Sequence, residues 1–301
     1  MTLRGMLGIL ALLAVALTGC GQQHYVNEII RPDTGFGQPL LLLTGSGEHL
    51  VKSGHISAHR QMNMPDGTMI DVWVLKAQTE GQPKGTYLLL HGLRMSKAYH
   101  LGAAKMLSTR GYDVVLPDLR AHGRSGGKYT TYGYHEKLDV KTVMDRLLEE
   151  GMVHTPFYAF GETLGATTAI QWAAIDDRVK AVAADAPYRD FSTQAIRTLV
   201  FTAPAMSQED IRDVIERAEK AGDFQAEQTS SVKSVRELDI PLLLMNGFLN
   251  TSVPTNHVEA IRDAAGGPVK MKVKIIDRTP GWLVEQLDKL ATEGLPDATS
   301  N

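Results

Sequence analysis

The feature that most constrains the fold is a regular alternation of short apolar runs with helix-length segments. An apolar run of four to eight residues is typical of a strand buried on both faces, and such strands belong to parallel sheets covered by helices. The alternation therefore predicts an α/β architecture with a mostly parallel sheet. The apolar runs are Thr86–Leu90, Asp113–Leu116, Phe157–Phe160, Val179–Ala184, Pro241–Met245 and Val269–Ile276, and the intervening helical segments are 96–109, 135–150, 164–175, 254–264 and 283–292.

Two regions, a hairpin and an insertion, depart from this alternation of strands and helices. The stretches 54–63 and 68–76 are rich in β-forming residues and flank Pro65-Asp66-Gly67, which is turn chemistry for a hairpin. Residues 192–235 are too long for a plain strand-helix unit, so we predict a small helical cap there. Within the cap, Gln208–Lys220 is predicted to be an amphipathic helix with one solvated face.

The N-terminus has the pattern of an export signal. Arg4 precedes an apolar run from Met6 to Leu17, which is too short for a comfortable membrane span. The run ends in Leu17-Thr18-Gly19-Cys20, which resembles the processing box of bacterial lipoproteins. The resemblance implies that Cys20, the only cysteine of the chain, is acylated and anchors the protein in the lipid bilayer of the cell envelope. The alternative is a signal-like segment with an incidental cysteine.

These features give a domain division. We predict a signal peptide over 1–19, a tether over 20–50, the α/β domain over 51–293 and a tail over 294–301. Glycine and proline recur in the segment before residue 50 without a sustained period, which is typical of a tether. The residue after Cys20 is Gly21. In enteric bacteria an aspartate at this position resembles an inner-membrane retention signal, so the glycine favours the outer membrane.

Composition excludes several function classes. A single cysteine rules out an internal disulfide and a Cys-rich zinc site, and a formal net charge of −3 is atypical of nucleic-acid binding. Zinc-protease, phosphate-loop and dinucleotide motifs do not occur in the sequence. We therefore predict no metal, no cofactor and no nucleic-acid partner.

Four segments in order resemble the α/β-hydrolase fold over roughly residues 54–293. They are Leu88-Leu89-Leu90-His91-Gly92, Pro117–Ser125, Gly161-Glu162-Thr163-Leu164-Gly165 and Pro241–Pro254. The pattern is most similar to the serine aminopeptidase-like and small acyl-hydrolase branches. The resemblance implies a sharp strand-to-helix turn at Thr163 and an oxyanion hole formed by backbone N–H groups of Leu93 or Arg94 and of Leu164.

The catalytic triad that the resemblance implies is not intact. Thr163 stands at the nucleophile position and Asn250 at the acid position. The histidine position falls near Thr279, and no histidine follows His257 in the sequence. Loss of the serine or histidine of such a triad costs on the order of 10⁶ in turnover. We therefore expect weak or lost hydrolysis, with an acyl, ester or peptide-like molecule as the ligand.

The alternative is an active carboxylic ester hydrolase that uses Thr163 and a surrogate base. His91 follows a strand next to the elbow strand, so it is the first candidate for that base, although shaping the oxyanion loop is its favoured role. Asp185 follows Val179–Ala184, where some relatives carry the triad acid, although a solvated carboxylate at a strand end is the favoured interpretation. His122 and His257 are expected to be loop and helix residues. A third hypothesis is an envelope scaffold that uses only its surface.

Overall fold

A computed structural model describes residues 22–32, 46–247, 250–274 and 279–295. Within these residues, eight strands form one sheet in the order β1-β2-β4-β3-β5-β6-β7-β8. The strands are β1 Ala58–Asn63, β2 Met69–Leu75, β3 Thr86–Leu90, β4 Asp113–Pro117, β5 Phe157–Glu162, β6 Val179–Asp185, β7 Leu242–Gly247 and β8 Val269–Lys274. β1 and β2 form the predicted antiparallel hairpin, β2 pairs antiparallel with β4, and the remaining pairs are parallel. The predicted α/β class is confirmed.

Helices cover both faces of the sheet. They are α1 22–30, α2 Gly47–Lys52, α3 Leu101–Thr109, α4 Glu136–Glu149, α5 Leu164–Ala173, α6 Phe191–Thr202, α7 Gln208–Gly222, α8 Ser231–Ser234, α9 Thr255–Ala264 and α10 Pro280–Glu293. The predicted insertion between β6 and β7 is helical and contains α6, α7 and α8. α7 buries Ile211, Val214 and Ala218 and exposes its charged face, as its amphipathic pattern predicts.

The pleat of the strands divides the apolar side chains between two cores. Leu88 and Leu90 of β3 pack with α4 and α5, whereas Tyr87 and Leu89 point to the opposite face and pack with α3 and α10. This alternation follows from the two-residue period of a strand. Both cores lie against buried strands, which explains why the sequence shows continuous apolar runs there.

The prediction of a tether over residues 20–50 is wrong for α1 and for residues 47–50, which form the first part of α2. Val26, Ile29 and Ile30 are at most 2% exposed and belong to the core beside α4 and α5. The Tyr132 hydroxyl donates a hydrogen bond of 2.6 Å to the Ile29 carbonyl, and the Thr130 N–H donates one of 2.8 Å to the Ile30 carbonyl. An apolar spacing of three and four residues gives α1 a buried face.

The predicted signal peptide and Cys20 lie outside the described residues, as does most of the predicted tail. In the part of the chain that the structure describes, no helix combines the length and the apolarity that crossing a membrane requires.

A buried lysine ties the loop after β3 to two strands. Lys97 is fully buried, and its Nζ lies 2.6 Å from Asp71 Oδ1 on β2 and pairs with Asp118 directly after β4. The ring of Trp73 lies 4.8 Å from the same Nζ. Burial alone would raise the pKa of Asp71, but the Lys97 charge and hydrogen bonds from His59 and Gln61 hold it below its usual value.

We predict that Lys97→Met lowers the free energy of unfolding by about 3–5 kcal/mol, because it leaves two buried carboxylates without their cation. The deficit should shrink as the pH falls from about 7 to about 5. Without Lys97 the folded-state pKa of a buried carboxyl is raised, so proton uptake then stabilises the folded variant. Urea unfolding at several pH values measures both effects.

Lys141→Met is the matched control, because Lys141 pairs with Asp145 at 2.9 Å while both side chains are more than a third exposed. Its cost should stay below about 1 kcal/mol. Equal, small costs for the two variants would contradict a structural role for the Lys97 ion pairs.

Candidate active site

The site is built on a sharp turn between β5 and α5. Thr163 joins them with φ 46° and ψ −103°. A Cβ on Gly161 would lie 2.2 Å from the carbonyl carbon of Gly165, and a Cβ on Gly165 would lie 2.4 Å from the Leu90 carbonyl oxygen. Only glycine permits these approaches, so the two glycines allow the helix to begin directly above the strand ends.

Thr163 occupies a backbone region that a β-branched residue rarely adopts. Such a conformation costs about 1–3 kcal/mol and persists only where the surroundings enforce it. Here the Thr163 N–H donates to the Asp185 carbonyl at 2.8 Å, and the Thr167 N–H donates to the Thr163 carbonyl at 3.0 Å. Arg94 and Ala186, in the neighbouring loops, also have positive φ values of 63° and 52°. The threonine hydroxyl is therefore held in place by the fold.

A backbone N–H group donates to the Thr163 hydroxyl, and a helix begins at the next residue. The Leu93 N–H lies 3.2 Å from Thr163 Oγ1 and donates to it. Leu164 is the first residue of α5, a position whose N–H has no acceptor within the helix. The positive end of the helix dipole lies at the same point. This arrangement can stabilise a negative charge that develops on a ligand oxygen beside Thr163.

Tyr188 is a site residue that the sequence did not predict. Its hydroxyl hydrogen-bonds with the Thr163 side chain, and its ring lies 5.5 Å from the ring of Tyr132. Burial raises the pKa of Tyr188 to about 12, although the Thr163 hydrogen bond and the charge of Arg94 lower it in part. At neutral pH Tyr188 therefore carries its proton and is a hydrogen-bonding partner of Thr163 and not a base. No pattern in the sequence marks a lone tyrosine after a strand for this role.

The structure does not support His91 as the surrogate base. The ring is fully buried, with Nδ1 2.9 Å from the Gly92 carbonyl and Nε2 accepting the Leu119 N–H at 3.0 Å. Burial and the neighbouring His122 hold the pKa of His91 well below its usual value. Both nitrogens are used by backbone groups, so His91 joins the loop after β3 to the loop after β4.

Asp185 does not place its carboxylate against the Thr163 hydroxyl. Its backbone carbonyl accepts the Thr163 N–H, while its side chain lines a cavity together with Glu162 and His100. That cavity lies on the face of the sheet covered by α3 and α10. The two acidic residues are register partners at the ends of β5 and β6, so their side chains share this face.

The residues predicted at the acid and histidine positions have structural partners of their own. Asn250 Oδ1 accepts the N–H groups of Ser252 and Val253 at 3.0 Å each, and its Nδ2 donates to Asn246 Oδ1 at 3.2 Å. An aspartate could accept the first two bonds but could not donate the third. The Thr279 hydroxyl accepts the Trp282 N–H at 3.4 Å and caps α10.

The other two histidines considered from the sequence lie where it placed them. His122 is in the loop after β4 with Nδ1 2.8 Å from the Arg120 carbonyl, and His257 is in α9, where Nδ1 accepts the Arg189 N–H at 3.4 Å. Among the described residues, no group of three or more His, Cys, Asp or Glu side chains is arranged to hold a metal.

Comparison with known proteins identifies the family to which the chain is similar. The family model described as the alpha/beta hydrolase fold matches residues 87–263. The chain is 26% identical over 187 residues to the uncharacterized protein YqkD of Bacillus subtilis strain 168. The match covers 61% of this chain and 61% of that relative, so the chain spans about three fifths of the length of YqkD.

Solved esterases share the architecture. The Pyrococcus furiosus esterase Pf2001 is similar with a TM-score of 0.59 and 22% identity over 79% of this chain and 88% of that chain. Ferulic acid-bound Est1E from Butyrivibrio proteoclasticus is similar with a TM-score of 0.60 and 15% identity over 79% and 98% of the two chains. At these identities the similarity shows the fold alone. The family model covers more than half of the sequence and agrees with the strand order and the elbow, so the chain belongs to the α/β-hydrolase fold family.

Proposed function

We propose that this protein is a lipid-anchored cell-envelope member of the α/β-hydrolase fold family that binds an acyl, ester or peptide-like ligand at the Thr163 elbow and hydrolyses it weakly or not at all. The observation that carries the proposal is the set of partners around the Thr163 hydroxyl. Among the described residues these partners are the Leu93 N–H and the Tyr188 hydroxyl, and neither is an imidazole.

In this proposal, ligand binding and ligand hydrolysis depend on different groups of the protein. The expected donors for a ligand oxygen are the backbone N–H of Leu164 and that of Leu93, which the ligand oxygen would take over from the Thr163 hydroxyl. The fold holds both groups whatever side chains the triad positions carry. Deprotonation of the Thr163 hydroxyl needs a base, and a tyrosine whose pKa is about 12 does not supply one near neutral pH. Since loss of a triad base costs on the order of 10⁶ in turnover, binding can persist where hydrolysis does not.

We predict that the full-length protein hydrolyses p-nitrophenyl acetate and butyrate no faster than buffer, and that Thr163→Ala gives the same rate. The physical reason is that Thr163 lacks a general base. Release of nitrophenol by the folded wild-type protein measures the rate. Turnover that disappears in Thr163→Ala would establish the alternative of an active ester hydrolase.

We also predict that the ester binds without being turned over. Titration with p-nitrophenyl butyrate should shift the backbone amide resonances of Leu93 and Leu164 in ¹⁵N-labelled protein. Thr163→Val retains the side-chain shape and the backbone donors, so it should retain the shifts. Amide resonances that stay unchanged at saturating ester would contradict ligand binding at the elbow and favour a scaffold that uses only its surface.

The anchor in this proposal rests on the sequence Leu17-Thr18-Gly19-Cys20. A single residue, Gly21, separates Cys20 from α1, and α1 is packed into the domain core. An acylated Cys20 would therefore hold the domain close to the membrane surface, because the long tether expected from the sequence is absent at that point. A hydrolase-fold domain held in this way would meet ligands at the membrane surface.

In a bacterial host, Cys20→Ala should abolish metabolic labelling with a palmitate analogue and release the protein from the membrane fraction, because the acylated thiol is lost. Gln23→Ala, which changes an exposed residue of α1, is the control that should be labelled like the wild type. Label that persists in Cys20→Ala would contradict the anchor.

A further inference from the structure

A positively charged side chain directly follows the backbone donor at the elbow. The β-turn 92–95 is closed by the Met95 N–H, which donates to the Gly92 carbonyl at 3.2 Å. The turn lies against Thr163, because the Leu93 N–H donates to its hydroxyl at 3.2 Å and a Cβ on Gly92 would lie 2.8 Å from the same oxygen. Arg94 is the third residue of this turn, so the contacts that hold the Thr163 hydroxyl also hold the backbone of Arg94.

Arg94 occupies a turn position where glycine would be less strained. Its φ is 63°, and a positive φ at the third residue of a turn favours glycine or asparagine. Backbone strain of this kind is concentrated at binding and catalytic sites. The strain therefore directs attention to what the Arg94 side chain contributes beside the elbow.

The charge of Arg94 acts on two hydroxyl groups beside Thr163, although its side chain is exposed. Burial raises the pKa of Tyr132 and that of Tyr188, and the positive charge of Arg94 lowers both pKa values in part. The Tyr188 hydroxyl also hydrogen-bonds with the Thr163 side chain. The guanidinium group is therefore both close to the hydroxyl site and open to solvent.

The guanidinium of Arg94 has no carboxylate partner among the described residues. Arg120, in the loop after β4, differs in this respect because it pairs with Asp139 at 2.8 Å. A guanidinium offers N–H donors in a planar fork that matches the two oxygens of a carboxylate. A ligand carboxylate could therefore bind Arg94 without displacing a carboxylate of the protein.

We propose that Arg94 binds a free carboxylate on the ligand, so that the elbow selects acyl, ester or peptide-like ligands that carry an acid group over neutral ones. This inference rests on the proposed function, because it requires the ligand to lie at Thr163. The ester or peptide oxygen takes the N–H groups of Leu93 and Leu164, and the carboxylate accepts hydrogen bonds from the Arg94 guanidinium. Arg94 is then a specificity-determining residue.

Monobenzyl glutarate is a suitable probe, and benzyl methyl glutarate is its neutral counterpart, in which the same carboxyl group is methylated. At about pH 7 the first carries a negative charge and the second does not. Titration of the ¹⁵N-labelled full-length protein, followed at the amide resonances of Leu93 and Leu164, gives an affinity for each ester. We expect the acid to bind about three- to tenfold more tightly than the neutral ester.

The preference should weaken as salt is added, because the exposed charge of Arg94 is then screened. Arg94→Gln removes the charge and should bring the two affinities to within about twofold of each other. Arg60→Gln is the matched control, since Arg60 is an exposed arginine on β1 that pairs with Glu150 at 3.4 Å. The control should keep the wild-type preference for the acid.

The results separate this inference from the proposed function. Wild-type affinities for the two esters that agree within about twofold would overturn the inference alone, as would a preference for the acid that persists in Arg94→Gln. If the folded Arg94→Gln protein loses both esters, Arg94 shapes the site and does not select the acid, which also overturns it. Amide resonances of the wild type that respond to neither ester would contradict the proposed function as well. Circular dichroism checks the fold of each protein.

Discussion

The close approach of α5 to the ends of β3 and β5 is the constraint on which the rest of the site depends. The helix begins so near the strands that any side chain at Gly161 or Gly165 would overlap backbone atoms. Thr163 must then turn in a single residue with a positive φ, and its hydroxyl lies beside the Leu93 N–H. A few ångströms of extra spacing would separate these groups, so the glycines position the hydroxyl as directly as its own hydrogen bonds do.

Under the proposed function, this constraint explains how ligand binding at the elbow can be retained when hydrolysis is lost. The donors at the elbow are main-chain groups fixed by the strand order and by the first turn of α5. The acid and the base of a hydrolase are side chains on loops after later strands. The positions predicted for them in this chain hold an amide that orders its own loop and a threonine that caps α10. Substitutions at the loop positions leave the strands unchanged, so the oxyanion geometry does not depend on them.

The sequence predicted the sheet well and the surroundings of Thr163 poorly, for physical reasons. Strands buried on both faces leave a continuous apolar run, and the run Thr86–Leu90 matches β3 residue for residue. α1 was missed because the glycines and prolines that follow it dominated the segment, although Val26, Ile29 and Ile30 already had helical spacing. Tyr188 could not be predicted, since its role depends on a partner far away in sequence.

The alternation of β5 also explains how the Thr163 elbow and the cavity on the opposite face lie within two residues of each other. Phe157 and Ala159 face the core beside α5, while Tyr158 and Phe160 face the core beside α3 and α10. Continuing this period places Glu162 over the second core, and Thr163 follows it as the turn residue. A change at position 163 alters the hydroxyl site without moving Glu162, and the reverse holds for position 162. The side chains of the elbow and of the cavity can therefore be substituted independently.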